Sequence, residues 1–365
     1  MPPAPEPPPA SDPTAPMDFS LFYFASDDGD DDAGLKGDRY RLLLDGARWA
    51  DTHGFAAVWT PERHFHSFGG LYPNPAVTGA AVAAVTERVA IRAGSVVAPL
   101  HHPLRLAEDW SVVDNLSGGR AGISFASGWH AADFALAPEA YGNRRALALD
   151  HAEEVRRLWR GEELTVRDGV GAERRVRIHP RPVQPELPTW ITSAGGVETF
   201  RRAGAMGAGV LTHLLGQSLD DLARKIAAYR TAAGPDGGHV VVMVHAFLGE
   251  DGDAVRELVR EPLCAYLRDS LGLLLGSRFE GRRGIDPARL RPDDVDFLVR
   301  RSFDRYYDDG ALLGTPAEAR RVVERLRGIG VDEIACLIDF GLPAETVLAG
   351  LDLLGDLRTG GPHRD

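Results

Sequence analysis

Glu62, Arg63, His64 and His66 fall within five positions of "WTPERHFH", residues 59–66, directly after the apolar run Phe55-Ala56-Ala57-Val58-Trp59. Phe65 and Phe68 add aromatic surface among them. Carboxylate, guanidinium and imidazole groups packed this densely suit proton transfer and hydrogen bonding to a reacting group. Histidine is the natural proton carrier, because its unperturbed pKa lies near neutrality. Trp59, Phe65, Phe68 and Trp129 supply the surface that excludes water from such chemistry.

Other apolar runs end in the same way. His101 and His102 follow the run at 89–98, and Ser127, Gly128, Trp129 and His130 follow 121–126. Thr212 and His213 close the run at 208–212. A single histidine is more often structural than catalytic. That six of the twelve histidines, His64, His66, His101, His102, His130 and His213, gather at strand ends is a more specific signal than any one of them. "SAGG", 193–196, stands between a strand and a helix expected to begin near Val197, where small residues let backbone N–H groups approach an anion. Arg145 in "YGNRRAL" can add a cation. A second chemistry is also open. The pair His64-x-His66, with His213 and Asp339, has the residue types of a metal-dependent barrel hydrolase.

The elements that must position these groups alternate. Apolar runs lie at 17–24, 56–60, 89–98, 121–126, 189–193, 208–212, 239–248 and 332–338, with helical periodicity between them. Asp38 can cap a helix carrying Tyr40, Leu43, Leu44, Ala47 and Ala50, ended by Gly54. Pro103 opens a helix stopped by Gly118-Gly119, and "TPAE" at 315–318 is a capping box. "VVVMVHAFL" and "IACLI" are continuous rather than alternating, as parallel strands covered on both faces are. Eight such units, with no G-x-G-x-x-G after the first strand, favour an α/β (β/α)8 TIM barrel over a doubly wound sheet. Two intervals exceed simple connections and read as insertions after strands 4 and 7. Residues 161–188 suggest a surface hairpin. Residues 250–312 suggest extra helices, placed either to pack or to screen the barrel mouth.

The 365 residues are 44% hydrophobic, enough for a full core. A formal charge of −12 argues against nucleic acid or an anionic membrane as partner. Cys264 and Cys336 form no metal-type spacing, and two cysteines suit a reducing cytoplasm. Residues 1–16 and 359–365 are expected to be disordered tails around a barrel at 17–358, the first being Pro-rich and without signal-peptide character.

With these elements in view, four stretches resemble a known family. They are "ERHFHSFGGLYPNP" at 62–75, "HHPLRLAEDWSVVDNLSGGR" at 101–120, "GWHAADFALAPEAYGNRR" at 128–145, and "TSAGG" with Thr199. The chain resembles the luciferase-like flavin monooxygenases, relatives of the bacterial luciferase α subunit, and most of all the branch found with natural-product assembly lines. The likeness covers nearly all of 17–355. It implies a barrel that binds reduced FMN at its carboxyl mouth and oxygenates an organic substrate in secondary metabolism. A deazaflavin is the alternative cofactor.

The same resemblance implies residue roles. Ser193, Gly195, Gly196 and Thr199 match the phosphate-binding turn, and Arg145 a phosphate-pairing arginine. Val96-Val97 match a strand end lying against the flavin ring, often through a non-prolyl cis peptide. Ser127, Trp129 and Tyr141 are further cofactor-binding positions, and Glu62, Arg63 and His64 the catalytic ones. Arg63 stands where luciferase has the first of two adjacent histidines, Ala126 where it has a cysteine, and Ser127 where it has an arginine. These departures speak against the aldehyde light reaction and leave flavin and oxygen chemistry standing. The expected partners are a separate flavin reductase, a small-molecule or carrier-bound substrate and a second copy in a homodimer. A non-catalytic flavin-binding subunit is the third reading.

Overall fold

The computed structural model describes residues 17–25, 39–270 and 291–360. The expected N-terminal tail at 1–16 lies outside these residues. Contacts divide the chain into two units, Asp27–Thr192 and Met1–Ser26 with Ser193–Asp365.

The first unit holds β2 (Ala57–Thr60), β3 (Ala90–Val97), β4 (Ala121–Ala126) and β7 (Thr189–Thr192), parallel and paired in that order. Its helices are α1 (Arg41–Thr52), α2 (Pro75–Ala83), α3 (Pro103–Ser117) and α4 (Arg144–Arg160). Local chemistry sets their ends. The Asn74 side chain caps α2 ahead of Pro75, and His102 caps α3 ahead of Pro103. Gly118, at φ 67°, ends α3 in the left-handed region that glycine enters without steric cost. Helix α1 differs from expectation: Tyr40 occupies its cap without a side-chain capping hydrogen bond, and Asp38 lies outside the described residues. Between α4 and β7, β5 (Leu164–Arg167) and β6 (Glu173–Val176) form an antiparallel hairpin inside the interval read as one. Asp168 accepts from the N–H groups of Val170 and Ala172 in its turn.

The second unit holds β1 (Asp18–Phe22), β11 (Glu333–Leu337), β9 (Val240–Leu248) and β8 (Gly209–His213), again parallel. Burial of all of β11 and nearly all of β9 explains why both read as unbroken apolar runs. Helices α5 (Val197–Ala205), α6 (Leu219–Ala233), α7 (Gly252–Asp269), α8 (Pro292–Asp309), α9 (Pro316–Gly328) and α10 (Ala344–Thr359) complete it. The capping box at Thr315–Glu318 forms as read, and another forms at Ser218–Asp221. Helix α10 runs through Thr359 to its cap at Gly360, so the helix outlasts the expected boundary at 358. Residues 361–365 lie outside the described residues. The interval 250–312 contains α7 and α8 as described residues, while 271–290 lie outside them. A short strand, β10 (Leu312–Gly314), pairs with the end of β9 and was not legible in three residues. Eight parallel strands, each followed by helix, are the units of a (β/α)8 barrel.

Candidate active site

In the first unit the chain leaves β2 through Pro61 and turns the Glu62 side chain into the protein, where it is 6% exposed. Three donors converge on that carboxylate. Val97 N–H donates to Oε2 at 2.6 Å, while His101 Nε2 and His64 Nε2 stand 2.6 and 2.9 Å from Oε1. Burial alone would raise the Glu62 pKa. Hydrogen bonds from His101 and His64, the His101 charge and the Val97 N–H outweigh it and hold the carboxyl below its usual value. Burial would likewise lower His101, but the Glu62 hydrogen bond and charge, with Asp109 behind them, hold it above the ordinary imidazole value. The result is an ionised, oriented carboxylate with both imidazoles on one oxygen and a backbone N–H on the other.

Arg63 has another occupation. Its side chain is 2% exposed, and Nη1 pairs with Asp133, itself buried, while Trp129 lies under the guanidinium with 5.5 Å from Cζ to the ring centre. The arginine ties the loop after β2 to the 3-10 turn at Ala131–Leu136. His130 Nδ1 is buried without a hydrogen bond among the described residues, and burial with the Arg63 charge lowers its pKa.

The four aromatics expected to exclude water separate. Trp59 is fully buried and meets Trp190 edge to face, with the Arg92 guanidinium over both rings. Phe68 is buried as well, whereas Phe65 is 66% exposed and Trp129 39%. Burial of Trp59 and Phe68 in packing makes them walls of the core. Phe65 projects from the surface.

The end of β3 carries a non-prolyl cis peptide at Gly94–Ser95, two residues before the Val96-Val97 expected from the resemblance. Val96 is fully buried, and Val97 packs with Phe134, Ala140 and Tyr141. After β4, Ser127 is partly buried, and Gly128 takes φ 71° where a Cβ would stand 2.8 Å from both Phe134 and Val97. Tyr141 meets Phe134 edge to face and carries the Arg144 guanidinium on its ring. Arg145, the next residue, is exposed in the first turn of α4.

In the second unit, Ser193 to Gly196 form the turn before α5. Ser193 Oγ accepts from Gly195 N–H at 3.2 Å. Gly196 caps the helix without a side chain, and Thr199 N–H reaches Gly196 O at 3.3 Å. Gly195 and Gly196 are exposed, and a Cβ on Gly196 would touch nothing within 4 Å. The turn therefore leaves the backbone at a helix N-terminus exposed and unobstructed. Lys225 brings a cation to it, with Nζ donating to Ala194 O at 3.0 Å and to Gln217 Oε1 at 2.8 Å. That set fits a phosphate. His213 lies in the same unit, its pKa pressed down to about 4 by burial and the Lys225 charge.

Two of the residues with metal-ligand chemistry are engaged elsewhere. His66 Nδ1 accepts from Phe68 N–H, and Asp339 accepts from the N–H groups of Phe24 and Ala25. Among the described residues, no three His, Cys, Asp or Glu side chains are grouped to hold a metal ion.

His101, Asp133 and Lys225 were not assigned roles from sequence. One signal separates the two histidines at 101–102. The residue before a proline at the first helical position is the cap, and His102 does cap α3, accepting from Leu104 N–H at 3.2 Å and leaving His101 for Glu62.

Comparison with known proteins gives consistent results. The family model for luciferase-like monooxygenases matches residues 17–333. The crystal structure of monooxygenase RslO1 from Streptomyces bottropensis is 26% identical and superposes with a TM-score of 0.73, over 93% of this chain and 98% of that one. The oxygenating constituent of 3,6-diketocamphane monooxygenase from Pseudomonas putida, a type II Baeyer–Villiger monooxygenase in complex with FMN, is 19% identical with a TM-score of 0.68, over 94% and 98%. The oxygenase component of flavin-dependent trigonelline monooxygenase from Acinetobacter baylyi is 23% identical over 349 residues, 92% of this chain and 93% of that protein. The structural likeness shows the fold as a closed barrel of eight parallel strands. No helix among the described residues is long and apolar enough to cross a membrane.

Proposed function

The chain belongs to the luciferase-like monooxygenase family, and on that premise we propose that it binds reduced FMN and uses it with O2 to oxygenate an organic substrate. The observation that carries this reading is the buried Glu62 carboxylate, which collects Val97 N–H, His64 and His101 at the carboxyl ends of β2 and β3. When bound, reduced FMN supplies the two electrons with which O2 yields one oxygen atom to the substrate and one to water.

The residues of the chain do the positioning. Glu62 accepts at His64 Nε2, which fixes the ring and leaves Nδ1 as the atom that takes and returns a proton. His101, on the same oxygen, holds Glu62 ionised. Arg63, paired with Asp133, keeps the loop and Trp129 in place. Val96, Val97, Ser127, Trp129 and Tyr141 are the positions proposed for the flavin ring and its surroundings. Ser193, Gly195, Gly196 and Thr199, with Arg145, are those proposed for the phosphate, and Lys225 supports them through its contact with Ala194 O.

A separate flavin reductase as partner is supported by the relative named as an oxygenase component. A free or carrier-bound small molecule as substrate, a place in secondary metabolism and a homodimeric state complete the proposal. The test is anaerobic titration with reduced FMN, oxidised FMN and a reduced deazaflavin. Tightest binding of reduced FMN supports the reading. Preference for the deazaflavin would reassign the cofactor, and no binding of any of the three would refute a flavin enzyme.

A further inference from the structure

Three hydroxyl groups meet at the carboxyl ends of β3, β4 and β7. Thr192 Oγ1 lies 2.6 Å from Ser124 Oγ and 2.5 Å from Ser95 Oγ. The pleat explains the meeting. A Cβ on Gly79 of α2 would stand 3.2 Å from Ile91, so Ile91 faces the helices and Arg92 faces the opposite, inner side. Trp190 shares that inner side with Arg92, whose guanidinium covers its ring. Ser124 is paired with Trp190, and Thr192 lies two residues beyond it, so both hydroxyls stand on the inner face. Ser95 sits where the register of β3 against β4 shifts between Gly94 and Val96.

The chain of hydroxyls has one direction. Ser124 is fully buried, and Thr192 is its one hydroxyl partner among the described residues. A hydroxyl carries a single hydrogen and two acceptor sites, and a buried hydrogen left unpaired is costly. Ser124 therefore donates to Thr192. The one hydrogen of Thr192 then goes to Ser95. Ser95, partly exposed on the inner face, receives that bond and keeps its own hydrogen to give away. Running the chain the other way would strand the Ser124 hydrogen in the core.

We infer that Ser95 is a fixed hydrogen-bond donor to an acceptor atom of the reduced, anionic flavin ring, with Thr192 as the positioning residue that keeps it a donor. This rests on the flavin reading proposed above. A donor locked in one sense favours the charged form of its partner, because hydrogen bonds to charged acceptors are about twice as strong as neutral ones. Ser95 thus contributes to preferring reduced over oxidised flavin.

The experiment is a pair of anaerobic and aerobic titrations of the full chain with reduced and oxidised FMN, followed by flavin fluorescence and absorbance. Parent, Ser95→Ala, Thr192→Val and Thr192→Ser are compared, each first checked by thermal melting. Ser95→Ala and Thr192→Val are expected to weaken reduced FMN by about tenfold and oxidised FMN by less than about threefold. Thr192→Ser, which restores the hydroxyl, is expected to restore the preference. Equal weakening of both oxidation states, or none, would overturn the inference, as would a Thr192→Val that keeps the parent's preference. If Ser95→Ala fails to fold, the two Thr192 variants decide alone. A parent that binds neither flavin overturns the cofactor reading itself, an outcome distinct from a parent that binds and a variant that does not discriminate.

Discussion

His101 and His64 share one oxygen of Glu62, at 2.6 and 2.9 Å, and that contact holds His101 more basic than usual. His101 is the nearer of the two and a charge partner of the carboxylate, and the same oxygen orients the His64 ring.

The contact between His101 and Glu62 has a pH signature. The folded pKa of His101 is raised, so its contribution to stability is full below the unfolded value near 6.5 and is lost as pH rises through the folded value. Glu62 is lowered, so its contribution is full above the unfolded value near 4.5 and is lost as pH falls. Both act together between about 4.5 and 6.5. His101→Asn should therefore cost most stability in that window and progressively less toward pH 9. Urea denaturation of parent and variant across this range checks it, and a pH-independent difference would count against the ion pair.

Arg63 and Asp133 are both buried and paired. Removing one partner strands the other charge, which typically costs about 3–5 kcal/mol. Asp133→Ala should lose stability in that range by chemical denaturation, and the double variant Arg63→Met with Asp133→Leu should recover much of it. A loss under about 1 kcal/mol in Asp133→Ala would show that water reaches the arginine.

Gly195 is exposed, and a Cβ there would meet only Ser193 Oγ, at 3.6 Å. Gly195→Asp should therefore melt close to the parent. A carboxylate at the N-terminus of α5 would repel a phosphate, so reduced FMN should bind more weakly by at least about tenfold. Unchanged binding would place the phosphate elsewhere.

Much of the fold was legible in the sequence because the strands are buried on both faces and thus lack polar interruptions. The run 239–248 became β9 at Val240–Leu248, and 332–338 became β11 at Glu333–Leu337. Helix ends were legible where a side chain made the cap, as at His102 ahead of Pro103 and at Thr315. They were not where none did, as at Tyr40. The site was legible as a set of residue types at strand ends and not as a set of partners. Glu62 meets His101 across 39 positions, Arg63 meets Asp133 across 70 and Ser95 meets Thr192 across 97. Such pairs are set by which strands are neighbours and by the register between them. The pattern of apolar residues along any one strand does not contain that information. Arg63 shows the consequence. Next to His64 in sequence it reads as a catalytic group, and nothing in that stretch shows that it also pairs with a buried aspartate.

His64 is the direct test. Its Nε2 is committed to Glu62, and its side chain is largely buried, so His64→Asn should keep reduced FMN bound and the fold intact while losing the proton carrier. The measurement is stopped-flow mixing of each FMNH2-loaded protein with oxygenated buffer, recording flavin reoxidation and hydrogen peroxide release. The parent should retain oxidising equivalents after the first phase and release peroxide in a separate, slower one. His64→Asn should release peroxide faster than the parent by at least about tenfold. Parent protein that releases peroxide as fast as free reduced FMN, or a His64→Asn variant indistinguishable from the parent, would contradict the account.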